Sequence, residues 1–315
     1  MLLHQYVYHC LNFLFNNYCN PLYLYLVDEI NNFGIQMKKV VLSVIGAVVI
    51  SFFVFLYLGS VFTNKYYSEN YEKLKISQSD HSSEFDSTFH KQLPKQLLRY
   101  LDANVKDLKR FPSIVETKIT SQFKTDKSSN YLPFTIKQFY STTYPGYLLD
   151  GQIQTNDLIS IRSLESFING KGNLLNKFLS SVTISDAQGS QIDQNGITRY
   201  LVESVLYPSV FYNYNGFTFN EIDSSTVEIS IQLDTLNSTA EFQFNDKNEI
   251  AKIITNSKFR TTKLGYTKHL HETRFKNYQF FGNYKLPTQI EHSWVSEDTH
   301  FTYQKIQVNN IQYYY

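Results

Sequence analysis

The residues best placed to do chemistry in this chain are three histidines, the pair Arg199 and Glu203, and the separate charges Asp150 and Arg162. His269 and His271 stand two apart, so on a strand, where side chains alternate, they share a face. If Gly282-Asn283 forms a two-residue hairpin turn, His271 falls opposite Trp294 and Thr273 opposite His292. His269, His271 and His292 then occupy one face, the last two as diagonal neighbours. Three imidazoles within reach form a donor set for zinc or copper. The competing expectation is a solvated strand face that carries polar rings, because a shared face alone does not make ligand geometry.

Arg199 and Glu203 are four apart and adjoin on a helix surface. They read either as a buried pair that orients a ligand or as a packing brace, worth about 0.2–0.5 kcal/mol in an isolated helix. Asp150, beside Gly151 on a strand-like segment, reads as a catalytic carboxylate or, the favoured expectation, as an acceptor of backbone N–H groups at a bend. Arg162 poses the same choice, and Trp294 reads as core or as part of the same set. The candidate ligand-binding residues are therefore Asp150, Arg162, Arg199, Glu203 and Trp294. No catalytic residue is nominated and no cofactor is expected. The sequence has no G-x-S-x-G elbow, phosphate loop, Rossmann glycine fingerprint or H-E-x-x-H helix, and nothing pairs a nucleophile with a base.

These residues must be positioned by strands and a few helices. FHKQLPKQLLRYLDANV sets Leu93, Leu97, Leu98, Leu101 and Val105 at helical spacing, with Pro94 near the first turn. From Ser113 the period becomes two, with Ile114, Glu116 and Lys118 alternating against Val115, Thr117 and Ile119. A second helix is expected over about 196–206, with Asp193 as N-cap, an Ile197, Leu201, Val205 and Leu206 face, and Pro208 as the stop. Strand-like runs follow to the C-terminus, with turn signals at Asn245-Asp246, Gly282-Asn283 and Asn309-Asn310. Strands joined by short turns imply an antiparallel meander of roughly ten strands, which must curl or close.

Upstream, VVLSVIGAVVISFFVFLYLGSVFTN carries no charged side chain between Lys39 and Lys65. At ~1.5 Å per residue its apolar part spans a ~30 Å hydrocarbon core. It is longer than a signal-peptide core and has no cleavage site, so it reads as an uncleaved anchor. Met37-Lys38-Lys39 resembles the start of an exported protein, so residues 1–36 are expected to be an over-extended start, the alternative being a short membrane-associated helix. The expected organisation is 37–64 transmembrane anchor, 65–90 spacer and 91–315 antiparallel β-rich domain. The bilayer is the expected partner through residues 40–62, with one pass and the C-terminal domain outside the cytoplasm.

Totals narrow the function. With 29 basic and 28 acidic residues the net charge is +1 and no basic tract stands out, which argues against nucleic acid as a partner. The 25 Phe and 25 Tyr suit pleated, half-buried strands. Cys10 and Cys19 lie before the apolar segment, which excludes a disulfide framework or a Cys-ligated metal in the β-rich region.

A series of short motifs, in order, resembles a widespread bacterial family of uncharacterised membrane-anchored proteins. They are Leu93-Pro94 then Arg99-Tyr100-Leu101, Pro145-Gly146 then Asp150-Gly151, Gly170-Lys171-Gly172, and Asp186-Ala187 then Gly189. Arg199-Tyr200-Leu201 then Glu203, Tyr207-Pro208-Ser209, Phe275 then Tyr278, and Leu286-Pro287-Thr288 then Glu291 and Trp294 complete it, over about 90–313. The family's usual Trp near the Pro-Gly turn is Tyr147 or Leu148 here. The resemblance implies a strand order similar to the half-barrel of LolA/LppX-type lipoprotein carriers, and brings no mechanism.

The fold class expected is mainly β (α+β): a large curved antiparallel sheet or half-barrel, two or three helices packed on it, and one preceding transmembrane helix. Such a sheet beside a membrane suits a lipid or other hydrophobic ligand. The alternatives are a structural or interaction protein of the envelope, whose helices fill the sheet, and an envelope enzyme, which would need a polar cluster in a cleft.

Overall fold

In the computed structural model the described residues are 35–77, 93–106, 111–157, 159–262, 265–297 and 299–315. The expectation for residues 1–36 falls almost wholly outside them. Helix α1 runs Ile35–Ile76, α2 Lys95–Asn104, α3 Ser190–Glu203 and α4 Val210–Asn213, with a 3-10 turn at Ser204–Leu206. The strands are β1 Ile114–Phe123, β2 Leu132–Ser141, β3 Gly146–Gln154, β4 Ser160–Ile168, β5 Lys171–Phe178, β6 Val182–Gln188, β7 Phe217–Asp223, β8 Thr226–Leu233, β9 Leu236–Phe244, β10 Ile250–Thr262, β11 Gly265–Phe281, β12 Tyr284–Ser296 and β13 Thr299–Tyr314.

All 13 strands form one antiparallel sheet in the order β6-β5-β4-β3-β2-β1-β13-β12-β11-β10-β9-β8-β7. Two meanders, β1–β6 and β7–β13, are thus joined where β1 pairs with β13. The sheet curls into a half-barrel, and the link from β6 to β7 carries α3 across its inner side. The strand estimate of roughly ten fell short because β5 and β6 were not seen. They are the edge strand β6 and its neighbour β5, and both bury few positions, so their sequences lack the alternation that betrays a half-buried strand.

Alternation places Val115 and Ile119 inside with Ile136, Tyr140, Tyr147 and Leu149, in the main core. Ile114, Phe139, Leu148 and Ile168 make a second, outer apolar cluster with Leu74. That outer patch explains α1. The stretch expected to be a spacer is helical through Ile76, and Tyr67, Tyr71 and Leu74 lie over the patch. Thr63 Oγ1 donates to the Ser180 carbonyl (2.7 Å) and Tyr66 Oη to Asn173 Oδ1 (2.7 Å). Gly59 permits the closest approach, since a Cβ there would lie 2.7 Å from that of Ser181. Before this contact the apolar side chains of α1 are largely exposed.

Helix α3 begins one turn earlier than expected. Asp193 does not cap it; Gly189 does, and Asp193 sits in the first turn. Its carboxylate accepts the Gly172 N–H (2.7 Å) and pairs with Lys171 (3.0 Å), pinning α3 to β5. On the other flank Asn195 bonds both ways with the Phe259 backbone, at 2.7 and 2.9 Å, replacing a neighbouring strand along that part of β10.

Candidate functional site

The inner face carries a connected cluster of charged and polar side chains set among apolar ones. Arg199 projects from α3 and its Nε donates to both Glu203 oxygens at 3.0 Å, while Nη1 donates to Glu165 of β4. Glu203 also accepts from Gln138 Nε2 and Tyr140 Oη, each at 2.9 Å. Tyr147 donates to Glu165 (2.6 Å) and lies under the guanidinium, 5.4 Å from its ring centre. Burial, then the adjacent carboxylates, hold the Tyr140 and Tyr147 hydroxyls well above the usual phenol range, so both remain donors. The pair expected from spacing is therefore a buried one, and Glu203 is only 5 % exposed.

The cluster continues into the histidines. The two-residue turn at Gly282-Asn283 sets His271 opposite Trp294 and Thr273 opposite His292, the register expected from sequence. His292 Nε2 lies 4.0 Å from Glu203, and its Nδ1 is 2.9 Å from Thr273 Oγ1. The His271 and His292 rings are 5.5 Å apart. Burial first, then Lys258 and Arg199, hold both imidazoles well below the usual histidine range, so both rings are neutral at pH 7. Two bulges aim the next residues inward. One, in β10 between Thr255 and Lys258, presents Lys258; the other, opposite His292 and Ser293, presents Tyr303. Lys258 Nζ contacts His271 Nε2 (3.3 Å) and Tyr303 Oη (3.1 Å). Trp294 stacks on Tyr303 at 5.5 Å and meets His271 edge-on at 5.0 Å.

Of the sequence candidates, Arg199, Glu203 and Trp294 come together here with His271 and His292. His269 touches the edge of Trp294 and contacts Thr267 Oγ1 (2.9 Å). Among the described residues no group of three or more His, Cys, Asp or Glu side chains is arranged to hold a metal ion. Asp150 and Arg162 do not join the cluster. They pair bidentately at 2.8 Å on the outer face, where Arg162 also donates to Asn64 of α1 (2.6 Å). Arg162 thus links β4 to the long helix, with Asp150 holding its guanidinium. Glu165 escaped the sequence reading. Its signal was a charge in the inward phase of β4, between Ser163 and Phe167. Tyr147, not Leu148, faces inward beside the Pro-Gly turn, since Leu148 belongs to the outer cluster.

The model of the family DUF6920, a family of unknown function, matches residues 91–313. No curated protein matches the sequence. Solved structures similar at low identity include the following three. A LolA superfamily protein from Nitrosomonas europaea has 9 % identity and a TM-score of 0.38, over 70 % of this chain and 92 % of that one. A putative outer membrane lipoprotein-sorting protein domain from Vibrio parahaemolyticus has 9 % identity and a TM-score of 0.37, over 64 % and 85 %. A DUF1329 family protein from Desulfovibrio piger has 8 % identity and a TM-score of 0.38, over 73 % and 93 %.

Proposed function

This chain belongs to the DUF6920 family, and from its geometry we propose that it is a membrane-anchored binding protein that holds a hydrophobic ligand of lipid class on the inner face of its half-barrel. The observation that carries this reading is the asymmetry of the inner face. Helix α3 leans mainly on β5, β9 and β10. On the side of β1–β4 the inner wall is made by Phe134, Ile153 and Ile161, buried in the main core, and by Phe123, half-buried against it. The Phe134 ring packs against Gly151, where an added Cβ would lie 2.3 Å from it. Apolar side chains lining a concave wall, with a few polar groups converging beside them, are the usual make-up of a ligand site.

The helix supports the membrane part. From Val40 to Leu58 it is about 28 Å long at ~1.5 Å per residue, matching a ~30 Å hydrocarbon core. Residues 37–64 then act as anchor and 91–315 as the ligand-binding domain, outside the cytoplasm. Because α1 is docked on the sheet, the half-barrel is held at the bilayer surface rather than swinging on a spacer. The test is to purify the full chain in mild detergent, extract it, and measure bound lipid by mass spectrometry alongside binding of a fluorescent acyl probe. Stoichiometric lipid or saturable probe binding is expected; a lipid-free chain blind to the probe overturns the reading.

A second reading, a structural or interaction protein of the envelope, draws on the tyrosines. Tyr100, Tyr140, Tyr147, Tyr200, Tyr207 and Tyr284 are fully buried, so part of the half-barrel is filled by the chain itself. The same experiment separates the two readings.

A further inference from the structure

Resting on the hydrophobic-ligand reading, we infer that Lys258, Arg260, Trp294 and Tyr303 form a subsite for the phosphate of an anionic lipid headgroup at the membrane-side rim of the half-barrel. Charge is the first ground. Arg199 is matched by two carboxylates, but Lys258 and Arg260, both half-buried on the inner face of β10, make no ion pair among the described residues. Their partners are neutral. Lys258 lies 5.6 Å from the Trp294 ring and 5.8 Å from that of Tyr303; Arg260 lies 5.9 Å from Trp294 and 5.3 Å from Phe301. Aromatic faces hold a cation in place but do not neutralise it, so the positive charge remains available to an anion.

His271 is the second ground. The Lys258 ammonium can only donate, so the ring nitrogen it meets, Nε2, is an acceptor. In the neutral ring the proton therefore sits on Nδ1. That atom is buried and has no hydrogen-bond partner among protein atoms, on a side chain that is 0 % exposed. A cluster with two unmatched cations and a spare N–H is short of acceptors, and a phosphate group is rich in them.

Location argues for a lipid source. In a meander, alternate turns fall at the same end of the sheet. The β5–β6 turn, which touches α1 through Ser180 and Ser181, therefore shares its end with the β10–β11 and β12–β13 turns. Arg260 is two residues from the end of β10 and Trp294 two from the end of β12, so the cationic rim opens where α1 leaves the domain for the bilayer.

Trp294 is the sole tryptophan of the chain, so its emission reports on this subsite directly. The full chain in non-ionic detergent is titrated with short-chain phosphatidylglycerol, short-chain phosphatidylcholine and inorganic phosphate, following tryptophan fluorescence. Phosphatidylglycerol is expected to bind at least tenfold tighter than phosphatidylcholine. Lys258→Gln/Arg260→Gln should erase that preference, whereas Lys268→Gln, over Phe259 on the other face, should keep it. Equal affinity for the two lipids overturns the subsite while leaving acyl-probe binding, and so the broader reading, intact. Inorganic phosphate binding as tightly as phosphatidylglycerol overturns the lipid assignment in favour of a free anion. The wild-type comparison stands even where the double variant fails to fold.

Discussion

Removing the guanidinium of Arg199 separates a buried ionic core from a helix-surface brace. Arg199→Met keeps most of the side-chain volume but strands Glu203, 5 % exposed, and Glu165, about a quarter exposed. Glu203 would retain Gln138 and Tyr140 as donors but lose both 3.0 Å bonds to a cation. Breaking a buried pair by deleting one partner costs about 3–5 kcal/mol, against ~0.2–0.5 kcal/mol for an exposed i,i+4 pair. For a domain of this size that is a fall in Tm of roughly 6–20 °C. The assay is thermal unfolding of the full chain in neutral detergent, followed by aromatic circular dichroism. A stranded carboxyl takes up a proton more readily when folded than at its unfolded value of about 4.3, so its folded pKa is raised. The penalty is then fully present above the folded pKa and is relieved as pH falls through it. The deficit should accordingly be smaller at pH 5 than at pH 8, and Arg199→Met/Glu203→Leu should regain at least half of it. A loss below about 1 kcal/mol, or one that ignores pH, refutes the argument.

The buried imidazoles give a second pH dependence of the opposite sign. His271 and His292 have folded pKa values depressed well below 6.5, so their contribution is present above the unfolded value and lost as pH falls beneath it. Between pH 7.5 and 5.5 the loss is about 1.4 kcal/mol per ring, and urea unfolding of His292→Asn should flatten the profile by about that amount. Gly196→Ala tests packing against propensity: Ala favours a helix by ~1 kcal/mol, but the new Cβ would lie 2.3 Å from the fully buried Phe167 ring. Overpacking at about 1–3 kcal/mol should win, and a higher Tm would contradict it. Leu74→Ala empties a fully buried outer contact and should loosen the end of α1, by about 2–5 kcal/mol of local stability. Limited trypsin digestion at Lys73 and Lys75 should accelerate, while unchanged rates would show that the dock does not depend on Leu74.

Much of this architecture was legible in local patterns. The two-period alternation from Ser113 located the meander and its inner and outer phases. Gly282-Asn283 fixed the register of β11 on β12, which is why the pairing of His271 with Trp294 followed from sequence. Three things were hidden for physical reasons. Strands β5 and β6, the last two at one end of the sheet with β6 at the edge, have little buried surface, so no periodicity marks them. The end of α1 was read as a spacer because its Tyr67, Tyr71 and Leu74 stripe is interleaved with Ser, Glu and Lys, and an outer sheet face is not where a core is expected. The separation of Asp150 and Arg162 from Arg199 and Glu203 depended on which face of β3 and β4 each occupies, a question the glycine next to Asp150 left open.

The polar cluster acquires its sense from the path of the chain. Among the described residues the 13-stranded sheet ends at β6 and β7 without pairing them, so no ladder bond fixes how far it curls. Helix α3 supplies that constraint because it is fastened to both arms. Asp193 holds Gly172 and Lys171 of β5, and Arg199 and Glu203 hold Glu165 of β4 and Gln138 and Tyr140 of β2. On the other arm Asn195 takes the Phe259 backbone and Thr198 the Ser257 carbonyl, beside the bulge that turns Lys258 inward. Apolar contacts alone would let the helix slide between the arms, since they are not directional. The charged and amide bonds set its position, and with it the curl of the sheet and the spacing of Lys258, Arg260 and Trp294 from the Phe134 wall. A change at Arg199 should therefore alter ligand affinity as well as stability, although the guanidinium is paired within the core and touches none of the rim residues.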